Sequence, residues 1–390
     1  MGQHNSITVL SKSKVDVLAK NIETKRSGSA ENDIINSILY KCDSLSNYYY
    51  VSQNDLFEGK DNLIRIAGIN GSLTGGISIE SVINKMKINS MPLGSITNIL
   101  MGLVSRADTV SSNHFRIDKN LSAKKGDGIF VLSQKELDNL ELSPLELKTF
   151  VRPFFKNSDI QQYSSKQMND LYILYLKDEG LPIILPPSLK IHFERFEFLL
   201  TKLKENFLKN EIAAPFVRRW LANGNYFVLF NPKREEYFNA EKIICPYRSK
   251  INSFSYNDIE WYASQDVCFI LPKSKHVTLK FILAILNSPL CYNWLFFKGK
   301  RKGFTLELYA TPLSEIPIRL CDPEKQKDFA KIVDLILDNK KFNPQIDTRI
   351  LETKVNKMVY KLYELSYEEV KVIDPEFALS EDEYDNITLE

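Results

Sequence analysis

A mixed α/β fold is what this sequence predicts, and three observations predict it. Short β-branched and aromatic runs bounded by turn residues recur through the middle of the chain. Apolar residues at three- and four-residue spacing mark helices between and after those runs. At 390 residues with 44% apolar content, the chain can bury two or three cores. No internal repeat of solenoid period is present.

Taken in order, residues 5–11 alternate around Ile7 and Val9, the period of a strand that has no preceding partner. Ile34, Ile35, Ile38 and Leu39 then share one helical face, and polar residues lead on to Tyr48-Tyr49-Tyr50. Residues 63–122 are rich in Gly, Ser and Asn, with turns at Asn70-Gly71 and Gly75-Gly76 and a proline at Pro92; they read as loop and short strand. Strands are expected at 126–132, after a Gly-Asp-Gly turn, and at 171–176, 226–230, 242–245 and 267–271.

Between the strands, Phe193, Phe196, Leu200, Leu203 and Phe207 predict one helix. Its stripe lasts about two heptads, fewer than a coiled coil needs, so it reads as a helix packed within the chain. Asp322 followed by Pro323 predicts a helix start, with Phe329, Ile332, Val333 and Ile336 as the buried face. A further helix is expected at 347–364, and Ser366 with Glu369 has the spacing of a capping box.

The net charge of +2 hides an asymmetry. From Asp374 onward the last seventeen residues hold seven acids and no base, which leaves about +9 on the rest. That acidic stretch is expected to be disordered. Cys42, Cys245, Cys268, Cys291 and Cys321 are far apart with no zinc-ligand spacing, and read as small buried hydrophobes in a reducing cytoplasm. The longest apolar passage, residues 281–297, is interrupted by Asn287, Ser288, Pro289 and Asn293 and is too short to span a bilayer.

Catalytic motifs are sparse. Adenine methylation needs a Gly-rich turn for S-adenosylmethionine and an Asn/Asp-Pro-Pro-aromatic loop for the exocyclic amine of a flipped base. Pro186-Pro187 stands between Leu185 and Ser188 and cannot supply that acceptor, while Gly126 to Gly128 reads as a turn. Glu146-Leu147-Lys148 with Asp138 has the outline of a metal-dependent nuclease motif, but in a chain with 26% charge it reads as a solvated face. None of His4, His114, His192 and His276 has a nucleophile beside it; His192 is expected at a helix start, on the surface or capping. No catalytic, cofactor-binding or metal residue is therefore assigned.

The basic cluster says more. Lys298, Lys300, Arg301 and Lys302, with glycines at Gly299 and Gly303 and aromatics at Phe296, Phe297 and Phe304, offer cations for phosphates and close backbone approach. Such a loop holds DNA without choosing sequence, and a merely soluble loop is the competing reading. Arg218-Arg219-Trp220, Lys233-Arg234, and Arg152, Lys156 and Asn157 around Pro153-Phe154-Phe155 come next. An Arg on guanine or an Asn on adenine supplies about 1–3 kcal/mol of discrimination. At each of these residues, surface solvation and internal ion pairing compete equally with DNA contact.

The order of these segments resembles the TaqI-like C-terminal specificity domain of adenine-specific DNA methyltransferases and type IIG restriction enzymes. The resemblance rests on Leu286-Asn287-Ser288, the cation run and Pro312-Leu313-Ser314-Glu315-Ile316-Pro317. It extends to Leu93-Gly94-Ser95-Ile96, Met101 to Asp108 with Arg106, Val151-Arg152-Pro153-Phe154-Phe155, Glu241 to Pro246 and Val359 to Leu365. Residues 2–10 are similar to a strand near the end of the methyltransferase catalytic domain.

The resemblance implies a small remnant of a methyltransferase α/β sheet at 1–61 and a mixed α/β DNA target-recognition domain at 62–320. C-terminal helices follow at 321–373 and the acidic tail at 374–390. It further implies double-stranded DNA as partner, a methyltransferase catalytic domain or subunit in cis or trans, S-adenosylmethionine bound by that domain, and no membrane. Alone, the chain is expected to bind DNA and methylate nothing. A subunit of a split methyltransferase, a divergent complete enzyme and an inert gene remnant are the alternatives.

Overall fold

The computed structural model describes residues 19–24, 31–40, 43–51, 57–58, 63–64, 79–274 and 278–386. The strand expected around Ile7 and Val9, the turns at Asn70-Gly71 and Gly75-Gly76, and Cys42, His4 and His276 lie outside those residues. In the first part, helix Asn32–Leu39 falls where the isoleucine face predicts it. Strands Ala19–Thr24 and Ser46–Val51 pair antiparallel on either side of it in sequence.

An antiparallel four-stranded sheet organises the rest, in the order Ser255–Asn257, Lys242–Pro246, Val267–Pro272, Thr97–Met101. Side chains of a strand alternate between faces, and here the alternation divides them between two cores. Ile243, Cys245, Cys268 and Ile270 enter one, whereas Ile244, Val267, Phe269 and Leu271 enter the other. A sheet buried on both sides carries no polar alternation, which is why these strands read as continuous apolar runs.

The first core lies under the C-terminal helices Leu279–Asn287, Pro289–Phe297, Pro323–Phe342, Arg349–Leu362 and Tyr367–Ile373. Phe329, Ile332, Val333 and Ile336 are all buried as their spacing predicts, and Ser366 with Glu369 forms the reciprocal capping box. Asp322 starts its helix through its backbone carbonyl, with no side-chain cap. No single helix among the described residues is long and apolar enough to cross a membrane, and the apolar pair Leu279–Asn287 and Pro289–Phe297 is bent by 67°.

The second core is built on a second sheet, ordered Tyr262–Ala263, Val151–Phe155, Leu171–Leu174, Val131–Ser133, and on helices Pro187–Glu194, Glu197–Glu205 and Ala214–Ala222. Trp261 stacks on Phe155 with centroids 4.7 Å apart. Gly102 lets the two sheets meet: its N–H bonds Val267 at 2.9 Å, and any side chain there would collide with the carbonyl oxygens of Ala263 and Ser264.

Several expectations are corrected. Residues 226–230 form turns, not a strand; Phe227, Val228 and Leu229 are buried, but their backbone bonds run singly, as from Leu229 N–H to the Leu176 carbonyl at 2.8 Å. Burial of an apolar run does not by itself supply a ladder partner. The strand expected at 126–132 is Val131–Ser133, because the Ile129, Phe130 and Val131 N–H groups are all gathered by the Asp108 carbonyl. The single helix through Phe193 is two, broken where Phe196 takes φ −114° and ψ 6°. Phe193, Phe196 and Leu200 still share the core across the break.

His192 is buried near the end of its helix, and its Nε2–H donates to the Ile129 carbonyl at 2.8 Å. Burial lowers its pKa below the ordinary histidine value. The acidic stretch is folded over its described residues: helix Glu381–Asp385 opens with a capping box, and buried Tyr384 donates to the Leu365 carbonyl at 2.8 Å. Lys361 pairs with Asp385 at 3.1 Å, so the acids meet cations that charge counting leaves out.

Candidate nucleic-acid interface

Helix Pro289–Phe297 ends at Gly299, whose N–H returns to the Leu295 carbonyl at 3.1 Å, and a glycine is required because a Cβ would strike that backbone. The chain then forms a tight hairpin, Arg301–Lys302 against Thr305–Glu307, joined by Gly303 and Phe304. Gly303 has φ +62° while Phe304 stays outside the left-handed region, the II′ arrangement that suits the twist of paired strands. Arg248–Ser249 adds a third strand on the other side of Thr305–Glu307.

Register places the charges. Arg248 pairs with Glu307, and Glu307 N–H bonds the Lys300 carbonyl at 2.8 Å, so Arg248, Glu307 and Lys300 form one row across the ribbon. Lys302 opposite Thr305 continues that face two residues along. On the reverse face Leu306 enters the first core with Ser249 and Arg301 beside it, and the Arg301 guanidinium lies 4.1 Å from the Phe296 ring centroid.

Glu307 is the ribbon's internal counter-charge. Its side chain is only 8% exposed, and its Oε1 accepts from Arg248 Nη2 at 3.0 Å and Nε at 3.2 Å. Lys300 Nζ sits 3.9 Å from the other oxygen and 5.3 Å from the Tyr309 ring centroid. Its pKa is raised above the ordinary lysine value, first by the hydrogen bond with Tyr309. With Lys250 and Lys302 exposed beside them, the ribbon presents Arg248, Lys250, Lys300 and Lys302 against one carboxylate. Cations clustered at this density along paired strands suit a phosphate backbone.

The other cations named from the sequence are placed differently. Lys298 is turned inward, its side chain 6% exposed and its Nζ 3.5 Å from Glu80, so it is not part of the ribbon face. Arg152 is likewise internal, bound to Glu235 at 2.9 Å and to the Lys148 and Val151 carbonyls at 2.8 Å. Burial works against its charge, but the hydrogen bond and charge of Glu235 outweigh burial and raise its pKa above the ordinary arginine value. Arg106 lies 4.7 Å from the Phe207 ring centroid. Lys233 is half-buried at φ +62°, with its pKa lowered by burial, and its carbonyl takes the Tyr175 hydroxyl at 2.8 Å.

Arg218 and Arg219 are exposed on helix Ala214–Ala222, with Arg219 paired to Asp178, and exposed Arg234 meets Glu236 at 3.3 Å. Lys156 is exposed just after Val151–Phe155, and Asn157 begins the turn Asn157–Asp159. Tyr262–Ala263 runs parallel to that strand, and Lys156 lies within electrostatic reach of the Asp108 carboxyl, as Asp266 does. Arg248 and Lys250 escaped the sequence reading; their signal was the alternation Tyr247-Arg248-Ser249-Lys250 after Pro246.

Leu286-Asn287-Ser288 has a structural role. Asn287 Nδ2 donates to the Phe254 carbonyl at 2.9 Å and its Oδ1 accepts the Phe254 N–H at 3.0 Å, which closes the amide onto the backbone like a sheet pair. Ser288 caps the next helix through Cys291 N–H at 3.2 Å, and Asn252 binds the Leu286 and Ser288 carbonyls at 2.7 and 2.9 Å. The motif fixes the bend between the two helices, the second of which leads into the ribbon.

One buried cation gives a pH effect. Lys204 donates to the Val228 carbonyl at 2.7 Å between the Trp220 and Phe230 rings, and burial lowers its pKa to about 7. Between that value and the ordinary lysine range the unfolded chain binds a proton that the folded chain lacks, so stability rises with pH from about 7 toward 10. Lys242, lowered to about 8 by burial, adds to the same slope. Urea midpoints measured from pH 7 to 9 should rise in the wild type and rise less in Lys204→Met. Each fully titrating lysine contributes about 1.4 kcal/mol per pH unit at most.

Comparison with known proteins bears on this surface. Residues 203–318 match the TaqI-like C-terminal specificity domain, a span that contains the whole ribbon. The type II methyltransferase M.HincII of Haemophilus influenzae is 29% identical over 165 residues, 39% of this chain and 32% of that protein. M.HindII, from the Rd strain of the same species, is also 29% identical over 165 residues, 39% of this chain and 31% of its own. The chain spans about a third of the length of these curated relatives. Among solved structures, the type IIL restriction-modification enzyme MmeI in complex with DNA aligns at a TM-score of 0.45 with 14% identity, covering 76% of this chain and 37% of that one. The type IIG restriction endonuclease BpuSI aligns at 0.39 with 13% identity, covering 77% and 33%.

Proposed function

We propose that this chain is a DNA target-recognition module that works with an adenine-specific methyltransferase catalytic domain, carried in the same polypeptide or supplied as a separate subunit. The observation that carries the reading is the ribbon, where Arg248 and Lys300 flank one buried carboxylate, with Lys250 and Lys302 exposed alongside, inside the segment that matches a specificity domain. The methyltransferase relatives supply the catalytic context. In this reading the ribbon holds phosphates and sets register, the methyl donor S-adenosylmethionine is bound by the catalytic domain, and base choice falls to side chains brought to the groove.

The test is a titration of the purified chain with a labelled duplex at several salt concentrations. Four phosphate contacts give a log–log slope of about −3.6, from about −0.9 per contact. A slope near zero, or no binding at about 50 mM salt where such electrostatics are strong, would remove the proposal.

A further inference from the structure

Phe304 is 71% exposed at the apex of the hairpin and belongs to neither hydrophobic core. Its neighbours Phe296 and Phe297, on the preceding helix, both pack against the first core. Folding therefore gives no reason for an aromatic ring at this point. The turn that carries it is short and fixed, since Lys302 pairs directly with Thr305 and Gly303 holds φ +62°. The ring thus projects from a rigid tip whose flanks carry Lys302, Lys300 and Arg248.

We infer that Phe304 is a stacking wedge: when the ribbon cations seat on the phosphates, the ring enters the groove and packs on the bases of one step. The inference rests on the DNA-binding reading of the ribbon and deepens it. Two physical arguments support it. Beyond the Arg248–Ser249 strand the tip is two-stranded, and a two-stranded ribbon is narrow enough to enter the major groove. An exposed apolar ring beside cations gains by leaving water for a base face, and proteins use Phe in this way to open base steps. The cations supply salt-dependent attachment, whereas the ring supplies a contribution that salt does not screen.

The experiment compares the full chain with Phe304→Ala and Phe304→Trp, using a labelled duplex across a salt series. Because the position is exposed, both variants should keep the wild-type circular dichroism. Phe304→Ala should bind about tenfold more weakly, the scale of losing one base–aromatic stack, with the salt slope unchanged. Phe304→Trp should keep the affinity, and its added emission should be quenched by duplex, against a background of three tryptophans that are all buried.

Wild-type affinity in Phe304→Ala, or unquenched emission from Phe304→Trp at saturating duplex, would overturn the wedge while leaving the ribbon's role intact. Absence of any binding by the wild type would instead remove the DNA-binding reading, and the wedge with it.

Discussion

Replacing Lys250, Lys300 and Lys302 together with glutamine is expected to lower duplex affinity by two to three orders of magnitude at about 0.1 M salt. Each phosphate contact contributes about 0.9 to the log–log salt slope, so three lost contacts reduce it by about 2.7. These lysines are suited to the test because all three are exposed, and Arg248 keeps the Glu307 carboxylate paired when Lys300 is replaced. The Arg248–Glu307 pair, which spans two of its strands, is left in place. Lys298→Gln is the informative contrast, since Lys298 faces Glu80 and not the ribbon surface. Its slope should equal the wild type's, although both positions belong to the same cation run.

Asn287→Ala should destabilise the first core. The side chain satisfies both the N–H and the carbonyl of Phe254, and all the groups involved are buried. Alanine orphans the Phe254 N–H, while the Phe254 carbonyl keeps the Tyr163 N–H at 2.9 Å. An unsatisfied buried group costs about 1–3 kcal/mol, and a loss of that size is expected. Urea unfolding measures it directly through the midpoint, with the slope of the transition unchanged. Asn339→Ala provides the reference: Asn339 also donates to a carbonyl, at 2.7 Å from Leu335, but at an exposed site where water replaces it.

Much of this architecture was legible because local chemistry and tertiary environment agree. The runs at Lys242–Pro246 and Val267–Pro272 are strands for the reason their composition suggests, with both faces buried. Ser366 and Glu369 cap a helix through bonds that depend on neighbours in sequence alone. Residues 226–230 show where such reasoning stops: aromatic and β-branched side chains there are buried as expected, but no second strand is available to pair with them.

The candidate site was read in part for the same reason. Lys300 and Lys302 could be named from a dense cation run, but Lys298 within that run is claimed by Glu80 from a distant helix. Arg152 is claimed by Glu235 in the same way. Arg248 joins the ribbon through a strand of two residues, whose only trace in the sequence is the four-residue alternation Tyr247 to Lys250. His192, expected on the surface or capping a helix start, is instead buried and bonded to the Ile129 carbonyl. Pairings between remote segments decide which charges remain at the surface.

Lysine acetylation rates measured with and without saturating duplex test the central claim most directly. The ribbon reading predicts that Lys250, Lys300 and Lys302 are protected by DNA, while Lys190 and Lys331, with side chains 68% and 75% exposed on helices elsewhere, react at unchanged rates. Equal reactivity of the three ribbon lysines in both conditions, with bound DNA present, would contradict it.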